Sequence, residues 1–160
     1  MINPIFTDNV TLSGDGTPVK PMQAQSGLRK AVVSISSAQI LAMNVTPVVV
    51  IPAPGPGLVI VPITAYIVYN FKTTAYASAA SNWLTTFNGN VGNLALSTQS
   101  INVVLTAGTS EVRQGFTQGS SILTFASCVN LPVTVSLSSA ATLGDGTITF
   151  TIYYDVVPAA

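Results

Sequence analysis

The most apolar stretch of the chain, residues 48–71, consists of two hydrophobic segments joined by prolines and glycines. The segments Val48–Ile51 and 58–71 are rich in Val, Ile and Tyr, which favour a pleated strand over a helix. The joint, residues 52–57, holds three prolines and two glycines, so neither segment continues through it. This pattern predicts a β-hairpin or β-arch whose longer strand is buried on both faces, with the other strands arranged around it.

The longer segment changes character at Pro62. One side, which includes Val59, Ile63 and Ile67, is wholly apolar, whereas the other becomes partly polar after Pro62. Proline cannot donate to a strand ladder, so Pro62 indicates a bulge, a bend or a sheet edge. We therefore expect residues 64–70 to face a partner subunit instead of the core.

Alternating apolar and polar residues predict further strands. They are residues 10–12, 31–36, 83–87, 95–97, 101–106, 131–138 and 147–157, while residues 122–125 are a short strand or a helix. In 147–157, Ile148 and the alternate residues after it point inward, while the threonines, Tyr153 and Asp155 point outward. Residues 39–43 are a helical turn or a strand, residues 75–80 a short helix or a loop, and 108–119 a polar loop with at most one helical turn. About eight strands at this spacing predict an all-β fold, an antiparallel β-sandwich with jelly-roll-like topology.

Residues 1–30 have no long periodic run; they are polar and hold three prolines and a Gly-Asp-Gly turn at 14–16. The segment is either a disordered tail or an extended arm that lies on a neighbouring molecule, and we expect the arm. The sequence thus predicts an N-terminal arm over residues 1–30 and a β-sandwich domain over residues 31–160.

Charged residues make up only 6% of the chain, against an average of about 25%. The polar surface must therefore come from Ser, Thr, Asn and Gln, which cost far less to bury than charges. Some monomeric secreted sandwiches share this composition. We expect instead that much of the surface is buried against other subunits.

The sequence contains few residues of the kinds that carry out catalysis or bind metals and nucleic acids. The net charge is zero and no basic run exists, which argues against nucleic-acid binding. There is no histidine, and the five acidic residues are scattered, so no catalytic base, metal cluster or calcium site is expected. Asp15 and Asp145 sit in glycine turns, where Asp accepts local backbone N–H groups. Nothing in the spacing supports a carboxylate pair such as Glu111 with Asp155. We expect a protein that is not an enzyme, with no cofactor and no small-molecule substrate.

The single cysteine, Cys128, is flanked by apolar residues and is expected to be a buried structural thiol. The lack of disulfides is typical of a reducing compartment. The first ten residues lack the charged and apolar regions of a signal peptide. Five prolines interrupt residues 45–68, so we expect no membrane helix there.

Two groups of residues are candidates for interactions. Tyr66, Tyr76, Trp83 and Tyr153 form either a sugar-binding platform or core and interface contacts, and we favour the latter. The pair Arg29 and Lys30 either contacts a partner's carboxylates or is solvated. The candidate interaction residues are Ile5, Phe6, Lys20, Arg29, Lys30, Tyr66, Tyr76 and Trp83.

Residues 34–76, SISSAQILAMNVTPVVVIPAPGPGLVIVPITAYIVYNFKTTAY, resemble a group of small virion structural proteins of tailed bacteriophages. The ending GDGTITFTIYYDVV, residues 144–157, is similar to the final strand of the same group. The resemblance implies a head decoration (cement) protein, or a related tail or fibre component, usually trimeric. The group offers no catalytic motif, so no functional residue is carried over.

These expectations combine into one hypothesis and one alternative. The hypothesis is a homotrimeric decoration protein, made in the bacterial host cytoplasm, that binds the major capsid protein on the outer surface of the virion. The alternative is a trimeric tail or fibre module that binds host-cell glycan through its aromatic residues.

Overall fold

The computed structural model describes residues 11–13, 23–25, 27–78, 82–117 and 123–159. The described residues form twelve strands, two short helices and a 3₁₀ turn at Phe125–Ser127. The helices are α1 (Ser37–Ala42) and α2 (Asn102–Leu105). The strands are β1 (Thr11–Ser13), β2 (Gln23–Gln25), β3 (Arg29–Ile35), β4 (Val48–Ile51), β5 (Leu58–Asn70), β6 (Ala77–Ser78), β7 (Asn82–Phe87), β8 (Gln99–Ser100), β9 (Glu111–Thr117), β10 (Val133–Leu137), β11 (Ala141–Thr142) and β12 (Thr147–Pro158).

Eight of these strands form two antiparallel four-stranded sheets. Sheet I has the order β3-β12-β5-β9, and sheet II has the order β4-β10-β7-β8. Two short pairs, β1 with β2 and β6 with β11, complete the described strands. The predicted all-β sandwich is confirmed.

Aromatic side chains join the two sheets across the core. Trp83 of sheet II lies 5.3 Å from Phe150 and 6.4 Å from Phe116, both of sheet I, measured between ring centroids. Phe116 and Phe150 meet edge to face at 6.1 Å. Aromatic pairs at these separations add about 0.5–1.5 kcal/mol each beyond the burial of their area. The inward faces of both sheets therefore share one core.

Strand β12 lies at the centre of sheet I, between β3 and β5. Ile148, Phe150 and Ile152 are fully buried, and Tyr154 and Val156 pack against the same core. The alternation predicted for residues 147–157 is confirmed. A central strand shows a clean alternation because both of its ladders are occupied and only its two faces differ in environment.

Strand β5 carries a bulge beside Pro62, one of the three possibilities that its sequence indicated. Thr64 lies opposite Tyr153, whereas Pro62 lies opposite Tyr154. Ile63 is therefore an extra residue in β5, and it is 41% exposed. One inserted residue reverses which side chains face the core.

The bulge makes part of the predicted pattern of β5 wrong. The side that includes Ile63 and Ile67 was expected to be apolar and buried throughout, but Ile63 is exposed and Ile67 is buried. Before the bulge the buried residues are Ile60 and Pro62, from the opposite predicted side. After the bulge Ala65 and Tyr69 are buried with Ile67, so the expectation that residues 64–70 face a partner instead of the core is wrong for these three. The strand therefore changes its core-facing set at residue 63.

Several predicted elements differ from the structure. Residues 108–119 were expected to be a loop, but Glu111–Thr117 is the edge strand β9 of sheet I. Residues 101–106 were expected to be a strand, but Asn102–Leu105 is helical. Residues 95–97 form no strand, and Ala95 donates to the carbonyl of Thr85 instead. Apolar runs this short fit a strand or a helical turn equally well, so tertiary contacts decide between them.

The remaining segments resolve open alternatives. Residues 39–43 lie mostly in α1, which begins with a capping box: Ser36 accepts from the N–H of Gln39, and the Gln39 side chain accepts from the N–H of Ser36. Residues 75–80 were expected to be a short helix or a loop, and both alternatives are wrong for Ala77–Ser78, which is the strand β6. The predicted strand at 10–12 is observed as β1 over Thr11–Ser13. The predicted end of the arm, residue 30, falls inside β3, which begins at Arg29.

Candidate functional site

The outward side of sheet I, called here the outer face, brings predicted interaction residues together with exposed apolar side chains. Adjacent strands place side chains of the same side directly opposite one another. Val32, Thr151 and Tyr66 form one such row, and Lys30, Tyr153 and Thr64 form a second. A third row is Ser34, Thr149, Val68 and Val112.

Large apolar side chains are spread across this outer face. Val32 at one edge is 55% exposed, and Val112 at the other edge is 60% exposed. Tyr66 and Val68 between them are half-buried. The hydroxyl of Thr151 lies in the same row as Val32 and Tyr66, and Thr151 is almost fully buried. The face is therefore a closely packed surface of methyl groups, tyrosines and hydroxyls.

The outer face holds one charge of each sign among its described side chains. Lys30 lies opposite Tyr153, and its Nζ atom is 6.0 Å from the centroid of that ring. Asp155 lies two positions further along β12, on the same side as Tyr153, and its Oδ1 atom accepts from the N–H of Val156 at 2.7 Å. Both charges lie at the same end of sheet I. The rest of the face is uncharged.

The outward side of sheet II combines buried hydroxyls with an exposed apolar residue. Thr86 and Thr134 are almost fully buried, and their hydroxyl oxygens lie 3.1 Å apart. The N–H of Gly89 donates to the Thr134 hydroxyl at 2.9 Å, and Leu94 forms a bridge with Thr86. Val49, opposite Thr134, is exposed. The outer face of sheet I shows the same mixture, because Thr151 is almost fully buried and Val32 is exposed.

Two predicted interaction residues lie in the core. Tyr76 is 1% exposed and donates its hydroxyl to the carbonyl of Gly146 at 2.7 Å. Trp83 is 0% exposed and contacts the aromatic residues of sheet I. Of the two alternatives for these aromatics, the favoured placement in the core is confirmed for both residues and the sugar-binding platform is wrong. Their prediction as interaction residues is therefore wrong, because the inward side of a sandwich is where large rings bury the most area. Burial also raises the pKa of Tyr76.

Of the other six predicted interaction residues, three lie on strands of sheet I and three lie outside the described residues. Lys30 and Tyr66 both lie on the outer face, on β3 and β5. Arg29 is exposed and lies opposite Tyr154 in the neighbouring register position. The remaining three candidates lie outside the described residues: Ile5, Phe6 and Lys20.

Sequence reasoning missed the most exposed apolar residues of the outer face. Val32 could have been found, because the alternation in residues 31–36 places Ala31 and Val33 on the inward side of the strand and Val32 on the outward side. Ile63 could not be identified without locating the bulge. Val112 was not found because β9 is polar and carries Gly115, which resembles a loop composition.

Asp145 fixes a loop and takes no part in the outer face. Its Oδ1 atom accepts from the N–H groups of Thr73 and Thr74, at 3.0 and 2.9 Å, and its Oδ2 atom accepts from the Thr73 hydroxyl. These hydrogen bonds, that of the hydroxyl above all, lower the pKa of Asp145 to about 2. The prediction of bonds within its own turn is wrong, because the donors belong to a segment about 70 residues away.

The carboxylates of Glu111 and Asp155 do not form a pair. Glu111 lies opposite Tyr69 and Asp155 opposite Val61, eight positions apart on β5. At about 3.3 Å per residue their strand positions are separated by roughly 26 Å, far beyond the roughly 5–9.5 Å of a glycosidase pair. Among the described residues, no three His, Cys, Asp or Glu side chains cluster to hold a metal ion.

The single cysteine is buried, and the described helices are short. Cys128 is 7% exposed, as predicted for a structural thiol, and its Sγ atom donates to the carbonyl of Thr124 at 3.3 Å. Burial raises the pKa of this thiol. No helix in the described ranges has the length and apolar character needed to span a membrane.

Comparisons with protein-family models, with curated proteins and with solved structures gave no match.

Proposed function

We propose that this protein is a capsid decoration (cement) protein that binds the outside of a bacteriophage head as a homotrimer and stabilises the shell. The observation that carries the proposal is the outer face of sheet I, a nearly uncharged surface with the exposed apolar residues Val32 and Val112 at its two edges. Exposed apolar patches on soluble proteins are typical of contact surfaces. The resemblance of residues 34–76 and 144–157 to small virion proteins supplies the viral context.

We further propose that the sandwich is a jelly roll. Of these eight strands, those that follow one another in the chain lie in opposite sheets, except for β7 and β8, and the spatial orders are β3-β12-β5-β9 in sheet I and β4-β10-β7-β8 in sheet II. A jelly roll consists of eight antiparallel strands in two such sheets and is common among viral capsid and lectin domains. The order supports this topology, and the topology agrees with a virion component.

The proposed mechanism is stabilisation by mass action. A protein that binds the assembled shell, but not its separated subunits, lowers the free energy of the assembled state. An uncharged contact surface loses little free energy through desolvation, because methyl groups and hydroxyls cost far less to bury than ions. Residues 1–30 are proposed to extend onto capsid subunits or neighbouring trimers as an arm. The function requires no catalysis, and we propose that the protein is not an enzyme.

The glycan-binding alternative has less support from the described residues. Tyr76 and Trp83, two of its four aromatic candidates, are buried in the core. Tyr66 and Tyr153 remain half-buried on the outer face, in neighbouring rows. Two half-buried tyrosines on a flat sheet also match the composition of protein–protein contacts. We therefore keep glycan binding as an outcome of the test.

Copy number per virion tests the proposed function. A decoration protein repeats with the symmetry of the capsid, so its amount should be a fixed fraction of the major capsid protein, in the hundreds of copies. Quantitative mass spectrometry of purified virions, with a labelled standard for each protein, measures this ratio. A content of tens of copies or fewer contradicts decoration and favours the tail alternative, which a glycan array then examines directly.

The proposed arm is tested by truncation. Capsids stripped of the protein are incubated with the full chain or with a variant lacking residues 1–26, which leaves β3 intact. We expect lower occupancy for the truncated variant at equal concentration. The same occupancy for both proteins shows that residues 1–26 do not contribute to capsid binding.

A further inference from the structure

We propose that Asn88 is a site of spontaneous deamidation and that the buried Thr134 hydroxyl sets its rate, because this hydroxyl holds the backbone nitrogen that would attack the Asn88 side chain. The site lies in the turn that follows β7, at the end of that strand in sheet II. The inference is independent of the proposed function: it identifies a modification site, the residue that protects it and the charge that the modification adds.

The chemistry follows from residues 88–89, the one Asn-Gly pair of the chain. The backbone nitrogen of Gly89 can attack the side-chain amide carbon of Asn88 and close a cyclic imide. The N–Cγ bond forms, the Cγ–Nδ2 bond breaks, and Nδ2 leaves as ammonia with the proton of the attacking N–H. Water then opens the ring at either carbonyl and leaves aspartate or isoaspartate. Glycine favours the attack, because it has no Cβ to hinder the nitrogen or to restrict its dihedral angles.

Asn88 and Gly89 are the central residues of a tight turn. The N–H of Asn90 donates to the carbonyl of Phe87 at 3.1 Å, and φ is 51° at Asn88 and 72° at Gly89. Two positive φ values are typical of the two-residue turns in which Asn-Gly is preferred. Asn88 is exposed, so water and base reach it without unfolding of the sandwich.

The attacking nitrogen, in contrast, is bound to a buried strand. The N–H of Gly89 donates to the Thr134 hydroxyl at 2.9 Å, and Thr134 is 5% exposed. That hydroxyl is fixed in turn, because it lies 3.1 Å from the hydroxyl of Thr86. The N–H of Asn88 donates to the carbonyl of Pro132 at 2.9 Å. A nitrogen held in this way neither loses its proton nor approaches Cγ until the hydrogen bond breaks, so the reaction requires local opening of the turn.

Two neighbouring asparagines provide an internal comparison. Asn90 is followed by Val91 and Asn93 by Leu94, and each of these side chains hinders the nitrogen that would attack. The Asn90 side chain is also engaged, because its Oδ1 atom accepts from the N–H of Gly92 at 2.9 Å. Within this loop, Asn88 should therefore be converted first.

Deamidation would change both the charge and the hydrogen bonding of the turn. The chain has a net charge of zero, so one new carboxylate makes it negative. Isoaspartate also lengthens the backbone by a carbon atom, which moves the Gly89 N–H away from Thr134. A buried hydroxyl that loses its donor lowers stability. The isoaspartate form should therefore melt at a lower temperature than the unmodified chain.

The test follows conversion of the full chain during incubation at mildly alkaline pH, once folded and once unfolded in guanidinium chloride. Peptide mapping by mass spectrometry and an isoaspartate assay measure the converted fraction at Asn88, Asn90 and Asn93. We expect Asn88 to be converted first in both samples, and more than about tenfold more slowly in the folded chain, because the turn must open. Equal rates at Asn88 in the two samples, or earlier conversion of Asn90 or Asn93, overturn the inference.

A matched pair of variants separates the role of Thr134 from general stability. Thr134→Val and Thr151→Val each remove the hydroxyl of an almost fully buried threonine, but Thr151 lies in β12 of sheet I. Thr134→Val should raise the folded-state rate at Asn88 about two- to tenfold, the ratio expected for the loss of one hydrogen bond. Thr151→Val should change it less than about twofold. An equal effect of the two variants, or no effect of Thr134→Val, contradicts the protective role of Thr134.

Thr134→Ser keeps the test decisive if valine disturbs β10. Serine retains the hydroxyl and loses only a methyl group, so Asn88 should still be converted slowly even where the melting temperature falls. Circular dichroism shows whether each variant is folded at the incubation temperature. Conversion of folded Thr134→Ser as fast as that of Thr134→Val would show that packing protects Asn88 and that the hydrogen bond does not.

Discussion

At the scale of single residues, Gly144, Asp145 and Gly146 form the most specific local contact of the described chain. The Asp145 carboxylate accepts hydrogen bonds from Thr73 and Thr74, and Tyr76 donates its hydroxyl to Gly146. The glycines allow this approach because any larger residue would enter the rings behind them. This short turn therefore connects the start of β12 to the loop that follows β5.

Substitution of Asp145 by asparagine is expected to lower stability in a pH-dependent way. The carboxylate has its pKa lowered from 3.8 to about 2 in the folded chain, so its contribution is fully present above the unfolded value. That contribution is lost as the pH falls toward about 2. Melting temperatures of both proteins from neutral pH down to about pH 2 should therefore converge only below about pH 4.

The control for this prediction is Asp155→Asn. Asp155 accepts from the N–H of Val156, the next residue, so its carboxylate does not link distant segments. We expect a smaller change in melting temperature than for Asp145→Asn. A gap between the unmodified chain and Asp145→Asn that stays constant down to pH 2 would show that the charge of Asp145 is irrelevant to stability.

Gly144→Ala is expected to destabilise the fold more than Gly57→Ala. Both glycines have positive φ, +82° and +71°, which costs an alanine about 1–2 kcal/mol. A Cβ at Gly144 would collide with the Tyr76 ring, whereas nothing lies within 4 Å of one at Gly57. The collision should add about 1–3 kcal/mol for Gly144. Urea unfolding followed by Trp83 fluorescence measures both, and equal losses would contradict the close contact.

At the scale of elements, the bulge at Ile63 determines which residues of β5 reach the outer face. Ile63 and Thr64 are both exposed, while Pro62 and Ala65 on either side are buried. The ladder with β12 resumes beyond the bulge up to Pro158. One extra residue thus lets a single strand pack its two halves against the same core with opposite alternation.

Deletion of Ile63 should therefore cost far more stability than its truncation. Removing the residue forces one half of β5 to turn its core side chains outward, so Ile60 or Ile67 would become exposed. Ile63→Ala keeps the register and removes only a partly exposed side chain, with an expected cost below about 1.5 kcal/mol. We expect the deletion variant to be unfolded or recovered as aggregate. Similar unfolding midpoints for the two variants would show that register does not depend on the bulge.

The elements also show what the sequence can and cannot reveal. The side to which each residue of β12 points was predicted, because the residues of a central strand alternate between the core side and the outward side. Strand β9 was missed, because an edge strand with Arg113 and Gly115 has little apolar signal and forms by pairing with β5. Pro62 indicated an irregularity, but the position of the extra residue depends on pairing with β12, which the local sequence does not encode.

The same limit applies to the candidate site. Tyr66 and Lys30 were identified from residue type, and they do lie on the outer face. Trp83 and Tyr76 were selected by the same criterion and are buried. Residue type alone does not separate a core aromatic from a surface aromatic, because both positions favour large rings. Register, which assigns a side to each residue, makes the distinction.

At the scale of the whole molecule, the scarcity of charge predicts how association responds to salt. Contacts that depend on ion pairs weaken as ionic strength rises, whereas apolar contacts do not. The outer face has only Lys30 and Asp155 as charges among its described side chains. We therefore expect the dissociation constant of the proposed homotrimer to change less than about threefold between roughly 0.05 and 1 M sodium chloride. Sodium sulfate, which strengthens apolar burial, should lower it.

Sedimentation velocity in the two salts measures this response, and Lys30→Glu is the internal control. That variant brings like charges together at the contact, so its association should be weak in dilute salt and should recover as the salt screens the repulsion. An oligomer of the unmodified chain that dissociates in sodium chloride would mean that ion pairs hold it together. In that case charged residues beyond the outer face form the contact between subunits.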